Sequence, residues 1–195
     1  MNYCALIFSI ILLLLAIIFG CNNANNKNDS IKNKWFRHID LNGNYISYFP
    51  EPPNHFDTII DIYSSGNAYK YTTVYKPEQK DPNHLYQVSF EKISSLAINK
   101  FEQNKYAFID SSIKSIKNNL DAQLIESKKI SESNSCYIKR IKMLSKPINA
   151  IINTKLYLCD TILYTASVIS PAKNQDNTNI DLFLNSFEPF NNSEK

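Results

Sequence analysis

The side chains best suited to chemistry are few and scattered. Three histidines are present, His38, His55 and His84, and imidazole is the side chain that titrates near neutral pH and most often ligates metals. None lies four residues from another, as helix-borne metal ligands would, and none neighbours a cysteine at zinc spacing. His55 stands two residues before Asp57, just after Pro52-Pro53, and His84 follows Asp81-Pro82-Asn83. A hydrolase or small-ligand site built on these His and Asp residues would have to be assembled by the fold. Solvated loop positions are the plainer expectation. No GxSxG elbow, HExxH pair or paired-carboxylate motif is present, so no catalytic residue, metal or cofactor is expected. Three glycines, at 20, 43 and 66, leave no cluster to bring backbone N–H groups around a phosphate. A formal net charge of +3 is too small for nucleic acid, which demands a dense basic face.

The N-terminus carries a stronger signal. After Met1–Tyr3 comes an uncharged apolar run from Cys4 to Gly20, then Cys21, then the abruptly polar stretch Asn22–Ser30. The run is short for a membrane span and right for the apolar core of a signal peptide. Ile18-Phe19-Gly20-Cys21 resembles the lipobox of bacterial lipoproteins. Ile18, Gly20 and Cys21 match it; Phe19 is larger than the usual residue, and no Lys or Arg precedes the run. The resemblance implies cleavage before Cys21, a diacylglyceryl thioether on its sulfur and an acylated new N-terminus. Several chains on one residue suffice for stable anchoring. The alternative is an uncleaved transmembrane anchor. Asn22 replaces the Asp that retains lipoproteins at the inner membrane of enteric bacteria, which favours an outer membrane where the cell has one. The organisation expected is a signal peptide over 1–20, a lipidated Cys and disordered tether over 21–34 with a typical reach of roughly 20 Å, and one domain over 35–192.

With Cys21 acylated, Cys136 and Cys159 remain as an even pair in an oxidising compartment. A hairpin centred on Pro147-Ile148 would set Leu144 against Ile151 and Cys136 against Cys159, within disulfide reach. A slipped register would leave them as two small buried apolar residues. Without a CxxC spacing, a bond between them would be structural.

These residues must be held by strands. Tyr45–Phe49 reads as a strand stopped by Pro50. Thr58–Tyr63 and Ala68–Lys76 flank a turn signal at Ser64–Asn67, and Leu85–Lys92 alternates Tyr86, Val88 and Phe90 against Gln87, Ser89 and Glu91. A helical stretch spans Ser94–Asn119, with Ile109, Ile113, Ile116 and Leu120 forming one stripe and Asp110-Ser111-Ser112 offering a break. Strands are expected over Gln123–Ile130, Cys136–Leu144, Ala150–Leu158 and Thr161–Ser170. A short helix around Ile180–Phe187 would be ended by Pro189. Tyr69, Tyr71 and Tyr75 share one strand face, expected beneath a helix. Lys139, Arg140, Lys142 and Lys146 crowd one hairpin, as edge protection or as a contact for anionic headgroups. Closely spaced strands favour antiparallel pairing. The fold class expected is α+β, an antiparallel sheet flanked by helices.

Tyr45-Ile-Ser-Tyr-Phe-Pro50-Glu-Pro52 resembles the opening strand of PsbP-like domains in bacterial lipoproteins. Leu156–Pro171 resembles their late hairpin, with Asp160 or Cys159 where a turn glycine is usual, and Asp181–Phe187 their closing helix. The likeness spans Tyr45 to Phe187. It implies an αβα sandwich and an accessory or binding role without catalysis. The expected function is thus a non-enzymatic, lipid-anchored module of the cell envelope, with the membrane and an envelope protein as partners.

Overall fold

A computed structural model describes residues 34–41, 45–63, 66–78, 80–92, 105–132 and 136–189. The chain divides into two compact units, Met1–Trp35 and Phe36–Lys195, and every element below belongs to the second. They are β1 (Phe36–Asp40), β2 (Tyr45–Phe49), β3 (His55–Tyr63), β4 (Gly66–Tyr75), β5 (Leu85–Lys92), α1 (Lys105–Asn119), β6 (Ala122–Glu132), β7 (Cys136–Ser145), β8 (Ala150–Cys159), β9 (Ile162–Pro171), a 3₁₀ turn (Ala172–Asn174), α2 (Thr178–Ser186) and β10 (Glu188–Pro189). Seven strands form one sheet in the order β3-β4-β5-β9-β8-β7-β6, and three form a second in the order β1-β2-β10. Every pairing is antiparallel. Among the described residues the molecule is a sheet-dominated α+β fold with two α-helices.

The period of two along each strand gives the large sheet two unlike faces. One carries Tyr137, Ile141, Met143, Ile152, Leu156, Leu158 and Leu163, and these pack with Ile109 and Ile113 of α1 in an aliphatic core. Ile116 and Leu120 complete the helical stripe. Ser145, fully buried, donates from Oγ to the Leu120 carbonyl at 2.8 Å and ties the end of α1 to β7. The opposite face is aromatic. Phe90, Tyr164, Tyr86 and Tyr157 meet Tyr45 and Phe49 of β2 and Phe183 and Phe187 at α2, with ring centroids 4.6–6.4 Å apart. Tyr45, Ser47 and Phe49 are the buried alternate residues of β2. The small sheet therefore shares with α2 the layer that the sequence assigns to helix. Its burial is supplied by bulky rings, which let a three-stranded ribbon cover what an amphipathic helix would.

Several boundaries differ from the expected ones. β1 was not anticipated: Phe36-Arg-His-Ile-Asp40 has no clean apolar alternation, because it packs at a rim where most of its side chains stay exposed. α1 runs unbroken through Asp110-Ser111-Ser112, where the Ser112 hydroxyl donates back to the Phe108 carbonyl at 3.0 Å instead of capping a new helix. The expected helical residues 94–104 lie outside the described residues. α2 ends at Ser186, before Pro189. Phe187 is already extended, and Glu188-Pro189 pair with Ile46 and Tyr45. Gly66 pairs with Tyr63, so it belongs to β4 rather than to the expected turn; residues 64–65 lie outside the described residues. The β8–β9 turn is Asp160-Thr161, with Asp160 at φ 51°. Asp121 and Asn149 likewise take positive φ at chain reversals, a conformation that Asp and Asn tolerate better than other side-chain-bearing residues.

Candidate functional site

Cys21 lies outside the described residues. The other two candidate cysteines meet in the fold. Leu144 pairs with Ile151, the register that a turn centred on Pro147-Ile148 implies, and eight residues further back Cys136 pairs with Cys159. Their sulfurs are joined as a disulfide.

The basic hairpin residues are split between the sheet's faces. Lys139 points to the α1 side and pairs with Asp110 at 2.9 Å, while Arg140 and Lys142 point to the α2 side and pair with Asp181 at 2.8 Å and Asp176 at 3.0 Å. Lys146 is exposed in the turn. Alternation thus divides what reads in sequence as one basic cluster. The acidic partners are largely exposed, which limits each pair to about 1 kcal/mol. Nor does β7 form an edge, since β6 flanks it.

Tyr71 stacks on Phe90 at 4.8 Å and Tyr75 on Tyr86 at 6.0 Å. The aromatic face of β4 is covered by β2 rather than by a helix: Tyr45 donates to Thr73 Oγ1 at 3.0 Å. The Tyr69 side chain lies outside the described residues.

The histidines take three different settings. His38, on β1, is half-buried among Tyr45, Phe49 and Phe56, with centroids 5.9–6.1 Å away. Its Nε2 is buried with no partner among the described residues. Burial lowers its pKa below the usual 6.5, with Asp40 opposing. His55 begins β3 and is exposed; the Asp57 side chain lies outside the described residues. His84 is exposed, and its backbone N–H donates to the Ile169 carbonyl at 2.8 Å. Among the described residues no three His, Cys, Asp or Glu side chains converge as a metal site requires.

His84 does border an open groove of about 1210 Å³, together with Glu51, Tyr75, Glu78, Asp81 and Lys173. Beneath it lies a polar network centred on Asn83, which is only 3% exposed. Asn83 donates from Nδ2 to the Tyr86 hydroxyl at 2.6 Å and accepts at Oδ1 from Ser170 Oγ and Asn177 Nδ2, both at 2.8 Å. The Tyr86 hydroxyl donates to Asp81 Oδ1 at 2.8 Å, and the Asn83 N–H donates to the same oxygen. Burial first, and Asp81 with it, drives the Tyr86 pKa well above 10. On the groove wall Tyr75 donates to Glu51 Oε2 at 3.0 Å, and burial together with that carboxylate pushes its pKa up to about 12. Both phenols stay protonated donors at neutral pH. The network locks the β4–β5 loop to the start of α2, and the groove offers fixed polar rims suited to recognition. Sequence reasoning missed it. Asp81-Pro82-Asn83 reads as an ordinary turn, and Ser170 and Asn177 are 87 and 94 residues away.

No protein-family model matches this sequence, and no curated protein matches it. Among solved structures the fold is similar to cyanobacterial PsbP (CyanoP) from Synechocystis sp. PCC 6803, with a TM-score of 0.52 at 15% identity over 80% of this chain and 93% of that one. A protein of unknown function from Pseudomonas aeruginosa, PA94, is matched at 7% identity over 60% of this chain and 85% of that one, with a TM-score of 0.37, too distant in shape to argue from. The fold is PsbP-like.

Proposed function

We propose that this chain is a lipid-anchored accessory module of the bacterial cell envelope, a PsbP-like αβα domain with one helical layer largely given over to strands. It is held to the membrane through acylated Cys21 and binds an envelope protein without catalysis. The observation that carries this reading is the junction at Cys21, where an uncharged apolar run meets an Asn-rich polar stretch. The Cys136–Cys159 disulfide is consistent with export to an oxidising compartment. A second reading, a hydrolase or ligand-binding protein using loop His and Asp residues, draws its support from the groove that His84 shares with Asp81 and Glu51.

The anchor is tested by growing cells on labelled palmitate. The wild type should carry label and fractionate with membranes; Cys21→Ala should lose the label. Label retained by the variant, or absent from the wild type, overturns the anchor. Gentle detergent extraction followed by identification of what co-purifies tests the binding role. A stoichiometric envelope partner supports it. Turnover of a small molecule that is lost with His84→Ala favours the second reading.

A further inference from the structure

Among the described residues, exposed large apolar side chains gather at two places, apart from the single Tyr106 of α1 and Ile148 of the β7–β8 turn. One is β6, with Leu124, Ile125 and Ile130; the other surrounds β1. Phe36 is 42% exposed, Ile39 42%, Leu41 80% and Phe56 64%. Phe36 and His38 project to the inner side of the small sheet, where the His38 ring lies 6.1 Å from that of Phe56. Ile39, the residue after His38, projects outward with its partner Ile46. β1 pairs with β2 alone among the described residues, so it forms the edge of its sheet, and an edge presents residues of both faces to whatever lies beyond it. Apolar groups gathered in this way mark a contact surface, unlike single exposed residues.

We propose that this rim lies in the headgroup layer of the membrane, so that the domain is seated on the bilayer by its first strand. The proposal rests on the Cys21 reading. Two observations choose the membrane over a second copy of the chain or a soluble partner. The first is where the chain enters the domain: Phe36 follows Cys21 by fifteen residues, at most about 50 Å of extended chain, so an acylated Cys21 keeps β1 close to the lipid surface. The second is charge. Exposed Arg37 follows Phe36 and exposed His55 precedes Phe56, with Asp40, between Ile39 and Leu41, the one acidic residue of β1. Basic residues beside aromatic and aliphatic ones suit an anionic interface and oppose self-pairing. The exposed apolar residues of β6 have no such tie to the tether.

Trp35 is the sequence's single tryptophan and directly precedes Phe36, so it reports on this rim. The test takes the full-length protein, purified from membranes and reconstituted into phosphatidylcholine–phosphatidylglycerol vesicles with or without lipids brominated near the headgroup. Shallow bromines should lower wild-type fluorescence about two-fold, as for an indole at the interface. Phe36→Ser/Phe56→Ser should abolish most of that quenching, and Leu41→Ser, at a site too exposed to matter for folding, should weaken it. Leu124→Ser/Ile130→Ser should leave it unchanged. A palmitate-labelled protein that floats with the vesicles yet shows no quenching overturns the seating and leaves the anchor intact. So does quenching that is equal in the wild type, Phe36→Ser/Phe56→Ser and Leu41→Ser. Unlabelled protein that is still quenched retains the seating and overturns the anchor. Unlabelled protein with no quenching overturns both.

Discussion

At the scale of single residues, the side chains that matter most to the fold are polar ones with many partners. Asn83 satisfies Tyr86, Ser170 and Asn177 from one buried amide. Asn83→Ala would take from Ser170 Oγ its buried acceptor and from Tyr86 and Asn177 one partner each, leaving them Asp81 and the Asn174 carbonyl. Because an unsatisfied buried polar group costs more than a hydrogen bond gains, the loss should be about 2–4 kcal/mol. A lower urea midpoint at unchanged slope would register it. His38 makes a prediction of a different kind. Burial favours its neutral form in the folded state, so the unfolded chain takes up the proton first. Its contribution to stability is therefore complete above the unfolded value of about 6.5 and is lost as pH falls through the lower folded value. Melting temperature should drop over that window, and His38→Phe, which keeps the ring contacts, should flatten part of the drop. An unchanged profile in the variant would remove His38 as the cause. The residues behind both predictions were visible in the sequence, but their settings were not. Nothing local distinguishes the half-buried His38 from the exposed His55.

At the scale of elements, what local pattern controls was legible. The β7–β8 hairpin followed from its turn residues, and the pairing of Leu144 with Ile151 carries Cys136 to Cys159. Closing that loop should stabilise the domain by about 3 kcal/mol in the chain-entropy account. Cys136→Ser/Cys159→Ser, or the wild type in reductant, should therefore unfold at a lower midpoint, and reductant should have no further effect on the double variant. The stripe of α1 was legible for the same reason, since its period is a property of the helix alone. β6 shows the limit. It is an edge strand with irregularities between Leu124 and Glu126 and between Lys129 and Ser131, and such bulges depend on the partner strand. Bulges with Lys128 and Lys129 are among the devices that keep an exposed edge from recruiting other chains.

At the scale of the molecule, the antiparallel α+β plan and the PsbP-like order of elements could be read ahead. The division into two sheets could not. Tyr45–Phe49 announces a strand, but nothing in it says that its neighbours are β1 and the last two described residues, Glu188-Pro189, rather than β3. The resemblance in Asp181–Phe187 acquires its reason at this scale. Phe183 and Phe187 fill the aromatic layer, and Ser186 Oγ, lying between them, accepts from the Tyr48 N–H at 3.1 Å, joining α2 to the small sheet. The groove over Asn83 belongs here too, because its walls come from the β2–β3 connection, the β4–β5 loop, the 3₁₀ turn and α2.

β1 is where the chain enters the domain, and Phe36, its first residue, pairs with Phe49. Any pull applied through the preceding residues, whether from thermal undulation of a bilayer or from a partner dragged past it, reaches that pair first. It can peel β1 from β2 one rung at a time while the seven-stranded sheet carries little of the load. Under the proposed anchor, β1 would be the first strand to yield to such a load, while β2 keeps its pairing with Glu188-Pro189.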